Sequence, residues 1–233
     1  MSDDPRRYHP HRAATADRPL QGMTVLVVED SRFASEAIRL LCQRSGARIR
    51  RADTLAAAHR HLAVYRPNIV IADIGLPDGT GAELLAELAA AAPRLDVLIG
   101  MSGDPALEAT ALAAGADGFL AKPVESLALF QQAILAHLPA GEGPRGPRAL
   151  PNETVRPDRL ALEDDLVHAA EIIGDDRRPL AYVAQFLGAV ARSAHDTALE
   201  AAARRLAEAG PASAERARIA GLVNDRLAGL RAG

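Results

Sequence analysis

Lysine is almost missing from this chain: of 27 Lys and Arg side chains in 233 residues, only Lys122 is lysine. Arginine is a rigid planar fork, whereas lysine is a compact charge on a flexible stem that reaches one oxygen in a crowded space. On composition alone, chance survival of one surface lysine is the simpler account. Cysteine is nearly absent too. The single Cys42 excludes an intramolecular disulfide and fits a reducing compartment. Its surroundings, "AIRLLCQRSG", read as a helix, so it is expected to be buried filler. No apolar run approaches the length of a membrane span. A net charge of −3 exerts no general pull toward nucleic acid or anionic membrane. The opening "MSDDPRRYHPHRAATADRPLQG" has no hydrophobic segment, so no secretory leader is expected and a cytoplasmic location is. Its Arg, His, Pro and Asp content predicts a disordered arm over residues 1–22.

From Thr24 the pattern changes. Short β-rich runs, "TVLVV" (24–28), "ARIRR" (47–51), "NIVIA" (68–72), "DVLIGM" (96–101) and "GFLA" (118–121), alternate with segments of helical period. Those segments fall at about 31–44, 54–65, 80–91, 105–114 and 125–138. Gly46, Pro67, Pro93 and Gly115 stand where helix stop signals belong. Strict alternation predicts a parallel sheet with helices on both faces, and "VLVV" and "IVIA" are apolar on both sides, as buried parallel strands require.

The polar residues then fall into place. Glu29 and Asp30 follow the first strand, Asp73 the third, Ser102 the fourth and Lys122 the fifth. Each lies at the carboxyl end of its strand, the edge at which open α/β sheets bind ligands. Three ionised carboxylates cannot gather there without compensation. A hard divalent cation such as Mg²⁺, which takes carboxylate, carbonyl and water oxygens, is the natural remedy.

Residues 23–138 resemble the receiver domain of two-component response regulators. The resemblance rests on "VLVVEDS" (25–31), "PNIVIADIGLPDGTG" (67–81), "VLIGMSGD" (97–104) and "GADGFLAKPV" (115–124). It implies a flavodoxin-like, five-stranded, doubly wound parallel sheet of order 2-1-3-4-5. It implies Asp73 as phosphoacceptor, Glu29 and Asp30 serving Mg²⁺, Ser102 as switch hydroxyl, Phe119 as switch aromatic and Lys122 as the cation pairing the phosphoryl group. The chemistry agrees. Phosphoryl transfer needs an in-line nucleophile and cations for the equatorial oxygens, and a carboxylate serves as that nucleophile. Mg²⁺ is expected on Asp30, Asp73 and the backbone carbonyl of Gly75, with Glu29 acting partly through water. Lys122-Pro123 is expected to be cis, an option open to proline. A plain core role for Phe119, and a capping role for Ser102, are the alternatives. Gly75 departs from the larger residue usual in the family and is expected to open the phosphoryl group to water. It also removes the second carboxylate that a haloacid-dehalogenase-type phosphohydrolase needs two residues after its nucleophile. The chain is therefore read as a signalling protein rather than an enzyme, slow autodephosphorylation aside.

Gly- and Pro-rich "PAGEGPRGPRALPNETVRP" (139–157) reads as a linker, and residues 158–233 as a small all-α bundle. Apolar stripes run through Leu160, Leu166, Val167, Ala170 and Ile173, then Val183, Phe186, Leu187 and Val190. Further stripes run through Leu199, Ala202, Ala203 and Leu206, then Ile219, Leu222, Val223, Leu227 and Leu230. Whether residues 179–209 form one helix or two is open, with Gly210-Pro211 closing the segment. From Pro151 onward, 11 Arg and no Lys face 13 acidic residues, so DNA is not the expected partner. A dimerisation or protein-docking role for the bundle is expected, with a sensor histidine kinase or phosphotransfer protein upstream and a protein partner downstream. A homodimer would form through the bundle or through the 105–138 face, which is also the expected route of coupling. His168 and His195 keep a histidine-phosphotransfer reading of the bundle in view, and a non-phosphorylated docking module is the other alternative.

Overall fold

The computed structural model describes residues 13–175, 177–208 and 214–232. Residues 1–12 of the expected arm and the Gly210-Pro211 stop lie outside them. The first unit alternates β1 (Thr24–Val28), α1 (Arg32–Ser45), β2 (Arg48–Ala52), α2 (Leu55–Val64) and β3 (Ile69–Asp73). A two-residue hairpin, β4 (Gly75–Leu76) and β5 (Gly79–Thr80), leads into α3 (Gly81–Ala90) and β6 (Val97–Ser102). A 3₁₀ turn (Pro105–Leu107), α4 (Glu108–Ala113), β7 (Gly118–Ala121) and α5 (Leu127–Leu135) complete it.

The main sheet is parallel with order β2-β1-β3-β6-β7, which is the expected 2-1-3-4-5 once the hairpin is set aside. Period-two alternation divides the strands between two cores. Val25, Val27, Ile69, Ile71, Val97 and Ile99 pack with Ile38, Leu41, Phe130 and Ile134 of α1 and α5. Leu26, Val28, Val70, Ala72 and Leu98 pack with Ala58, Leu84, Leu85 and Ala111 of α2, α3 and α4. Side-chain oxygens start the helices: Ser31, Thr54, Thr80 and Ser126 each accept a first-turn N–H. Gly46 ends α1 at φ 84°, a left-handed conformation suited to glycine. Cys42 is buried in α1, and burial pushes its thiol up to about 12.

The second unit is a four-helix bundle of α6 (Arg159–Gly174), α7 (Leu180–Ser193), α8 (Thr197–Glu208) and α9 (Ala214–Ala232). The segment left open is thus two helices. Asp196 makes the break, accepting from the backbone N–H of Leu199 and from Arg226. Leu166, Ile173, Val183, Leu187, Val190, Leu199, Leu206 and Val223 form the bundle's own core. Leu160, read as part of the first stripe, is exposed. No helix among the described residues is long and apolar enough to cross a membrane.

Two expectations are corrected. The arm is not free up to residue 22, because Leu20 is buried in the α1-side core and its N–H donates to the Ser45 carbonyl. The linker is not free up to residue 157. Val155 enters the same core, the N–H of Leu127 donates to the Glu153 carbonyl, and Thr154 bridges Ser126. In the bundle, α6 and α7 pack against α1, and α7 also meets the β4 hairpin. That seat lies at the carboxyl edge of the sheet.

Candidate functional site: an acidic cavity roofed by the bundle

Asp73 ends β3, Glu29 and Asp30 follow β1, Ser102 ends β6 and Lys122 follows β7, so strand geometry brings all five to one edge. Lys122, with 1% of its side chain exposed, places Nζ 2.5 Å from Glu29 Oε2 and 3.0 Å from Asp73 Oδ2. Its peptide bond to Pro123 is cis, as expected. Burial would lower the ammonium's pKa, but Asp73 and Glu29 outweigh burial and hold it above the usual lysine range. Burial raises Glu29 well above the ordinary carboxylate range against the opposing pull of Lys122. Burial likewise lifts Asp30 to about 6, again opposed by Lys122.

One oxygen from each of Glu29, Asp30 and Asp73 lies within 4.8 Å of the others. Three hard oxygen donors, with more negative charge than one ammonium offsets, suit Mg²⁺. Glu29 is partly engaged already, since Oε1 accepts the Ser31 N–H at 3.1 Å while Oε2 faces Lys122. Ser102 is buried, its Oγ accepting the Asp104 N–H at 3.1 Å, and it lines the cavity beside Asp73 and Lys122. Phe119 is half-buried against Gly100 and is not among the cavity's lining residues. In the turn "LPDGTG", Asp78 accepts from the N–H groups of Leu55 and Ala56, tying the loop after Asp73 to the start of α2.

The bundle supplies the roof. A cavity of about 260 Å³ is lined by Asp30, Asp73, Ser102 and Lys122 from below and by Gln185, Phe186 and Arg192 of α7 from above. Tyr182 donates its hydroxyl to Asp30 Oδ2 at 2.9 Å. Gln185 reaches so far down that a Cβ added at Gly75 would lie 1.3 Å from its Nε2. The expectation that Gly75 opens the acceptor to water is therefore corrected: that space belongs to a side chain from the bundle. Asp165 of α6, 1% exposed, clasps the start of α1. It accepts from Ser31 Oγ at 2.6 Å, the Arg32 N–H at 2.7 Å and the Phe33 N–H at 3.0 Å. His168 meets Phe186 edge-on at 5.2 Å, His195 bonds to Glu125 at 2.9 Å, and neither lines the cavity.

The family model described as "Response regulator receiver domain" matches residues 25–134.

Residues 25–134 are a response regulator receiver domain.

The receiver is similar to the KDP operon transcriptional regulatory protein KdpE of Escherichia coli, 32% identical over 99 residues, covering 42% of this chain and 44% of that protein. It is similar to the transcriptional regulatory protein KdpE of Mycobacterium tuberculosis, 32% identical over 121 residues, covering 51% and 54%. Among solved structures it is similar to the receiver domain of sensor histidine kinase PA1611 from Pseudomonas aeruginosa. That structure is 23% identical with a TM-score of 0.45, covers 50% of this chain and 97% of that one, and carries a coordinated magnesium ion. The chain spans about half the length of the curated relatives it matches. Both relatives are named as transcriptional regulatory proteins. The family match ends at residue 134, before the helical unit begins.

Sequence reasoning found the receiver half of the site and missed its roof. Tyr182, Gln185 and Arg192 read as ordinary polar positions between apolar ones, and Asp165 as one acid in the run "EDD".

Proposed function

We propose that the chain is a response regulator whose Asp73 accepts a phosphoryl group from a sensor histidine kinase or phosphotransfer protein. The observation that carries this reading is the convergence of Asp73, Lys122, Ser102 and two further carboxylates in one roofed cavity. An Oδ of Asp73 attacks phosphorus in line while the bond from phosphorus to the donor's histidine nitrogen breaks and the nitrogen keeps the electron pair. Lys122 neutralises one equatorial oxygen, and Ser102 Oγ turns from the Asp104 N–H to donate to another. Glu29, Asp30, Asp73 and the Gly75 carbonyl would hold Mg²⁺, which supplies further charge neutralisation when bound.

The bundle is the element that responds. Asp73 is only 4% exposed, so a protein-borne phosphohistidine reaches it only when α7 lifts. Signal relay then runs through the seat of α7 on the carboxyl edge, where the charge carried by Asp73 sets how firmly the bundle is held. The test is phosphate-affinity gel mobility of the full chain with acetyl phosphate and Mg²⁺. Labelling is expected in wild type, absent in Asp73→Asn and abolished by chelator. Equal labelling of both proteins refutes the assignment.

A further inference from the structure

Arg192 lies near the end of α7, in the helical unit, yet its guanidinium sits over the receiver's β6–α4 loop. A Cβ added at Gly103 would lie 2.3 Å from Nη2, 2.5 Å from Nε and 2.7 Å from Cζ. Together with the overlap of Gln185 and Gly75, this shows two receiver glycines accommodating two bundle side chains at the cavity that Asp73 lines. The Nε of Arg192 is fully buried and has no hydrogen-bond acceptor. Among the described residues its one ion pair is loose, 3.5 Å from Nη1 to Glu200. Leaving a buried charged donor without an acceptor is costly, and such a donor is commonly satisfied by an ion or ligand. Lys122 and Arg192 are the two cations among the cavity's lining residues, which also include the acidic Asp30, Asp73 and Asp104. The cavity's 260 Å³ is space for several waters at about 30 Å³ each, and so for a phosphoryl group with its hydration.

Resting on the acceptor reading above, we propose that Arg192 is a phosphoryl-binding residue. Its guanidinium donates to an oxygen of the phosphoryl group carried by Asp73, while Gln185 fills the space beside Gly75 and keeps water out. The binding site is then completed across the two units. Phosphorylation adds negative charge at Asp73, supplies the acceptor that Nε lacks, and draws α7 down onto the receiver. The bundle opens to admit the donor and closes on the product.

The test uses the full chain with Mg²⁺ and beryllofluoride as the phosphoryl probe, followed by ¹⁹F NMR and by hydrogen exchange. In wild type, a bound-fluoride signal absent from Asp73→Asn is expected, together with at least about tenfold slower exchange of amides in 180–193. In Arg192→Gln the signal persists with about tenfold weaker binding, the worth of one charge-assisted hydrogen bond, and the added protection is lost. Wild-type binding and protection in Arg192→Gln overturn the inference. So does faster exchange of 180–193 in beryllofluoride-bound wild type, a measurement that needs no variant. Equal loosening of 180–193 in Arg192→Gln with and without the probe makes Arg192 a structural tie and also overturns it. Absence of any bound-fluoride signal in wild type fails the acceptor reading itself and takes the inference with it.

Discussion

Replacing Asp165 by alanine should unseat the bundle without unfolding either unit. In the seated state the carboxylate takes three donors at the start of α1, where the helix dipole also favours negative charge. Burial raises the pKa of Asp165, against the lowering effect of Ser31, Phe33 and Arg32, so desolvation offsets part of those bonds. The alanine variant is a different matter, because the seated state would then bury a hydroxyl and two N–H groups without acceptors. Each such orphan costs about 1–3 kcal/mol, and in the unseated state all three face water. The penalty thus falls on the seated state alone. Allowing for relaxation, about 3–4 kcal/mol is expected, in line with removing one partner of a buried charged cluster. That lowers the ratio of seated to open forms by roughly two to three orders of magnitude. Hydrogen exchange should quicken at residues 32–33 and through 180–193, while β3 amides keep wild-type protection. Labelling of Asp73 by a phosphohistidine protein should accelerate, because the roof no longer delays access. Unchanged exchange in 180–193 would show that Asp165 does not hold the bundle, and the reasoning would be wrong.

Three further outcomes are expected. Tyr182→Phe removes the hydrogen bond to Asp30 Oδ2, so Mg²⁺ should bind about two- to tenfold tighter by calorimetry, and unchanged or weaker binding refutes competition at that oxygen. Lys122→Arg keeps the charge, but a guanidinium does not fit between Glu29 at 2.5 Å and Asp73 at 3.0 Å. Acetyl phosphate labelling should slow at least about tenfold, and a wild-type rate would return the lone lysine to chance. Asp196→Asn keeps a helix cap but loses the ion pair with Arg226, about 0.5–1 kcal/mol of bundle stability at pH 7 in urea unfolding. The hydrogen bond from Arg226 lowers the Asp196 pKa, so this stabilisation is present above the ordinary aspartate value and fades as pH falls through the lowered one. The deficit of the variant should shrink in the same window, and a pH-independent deficit contradicts the pairing.

The receiver was legible because its information is local. Alternation of "VLVV" and "IVIA" with helical segments fixes the layers, and each site residue falls within two positions of a strand's end. The seat of the bundle was not legible, because its contacts join residues 70 to 152 positions apart. Asp165 meets Ser31 across 134 positions, and Tyr182 meets Asp30 across 152. Nothing near Asp165 in the chain distinguishes it from Asp164, which makes only an exposed pair with Arg32. The one trace was Gly75, a missing side chain whose meaning depends on Gln185. Composition misled in a similar way at the linker, where Pro and Gly suggested a free segment and Glu153, Thr154 and Val155 pin its end.

That pin sets the leash on the bundle. Val155 is held in the receiver core, α6 begins at Arg159, and Pro157 stiffens the steps between. Four residues span at most about 14 Å, so a released bundle swings about its own root instead of drifting away. A tether this short keeps the local concentration of the bundle at its seat on the order of millimolar. Dilution of the protein therefore leaves the opening equilibrium untouched. Any kinase or effector that takes the carboxyl edge competes against an ever-present neighbour, and its apparent affinity is reduced by the fraction of time the roof is closed.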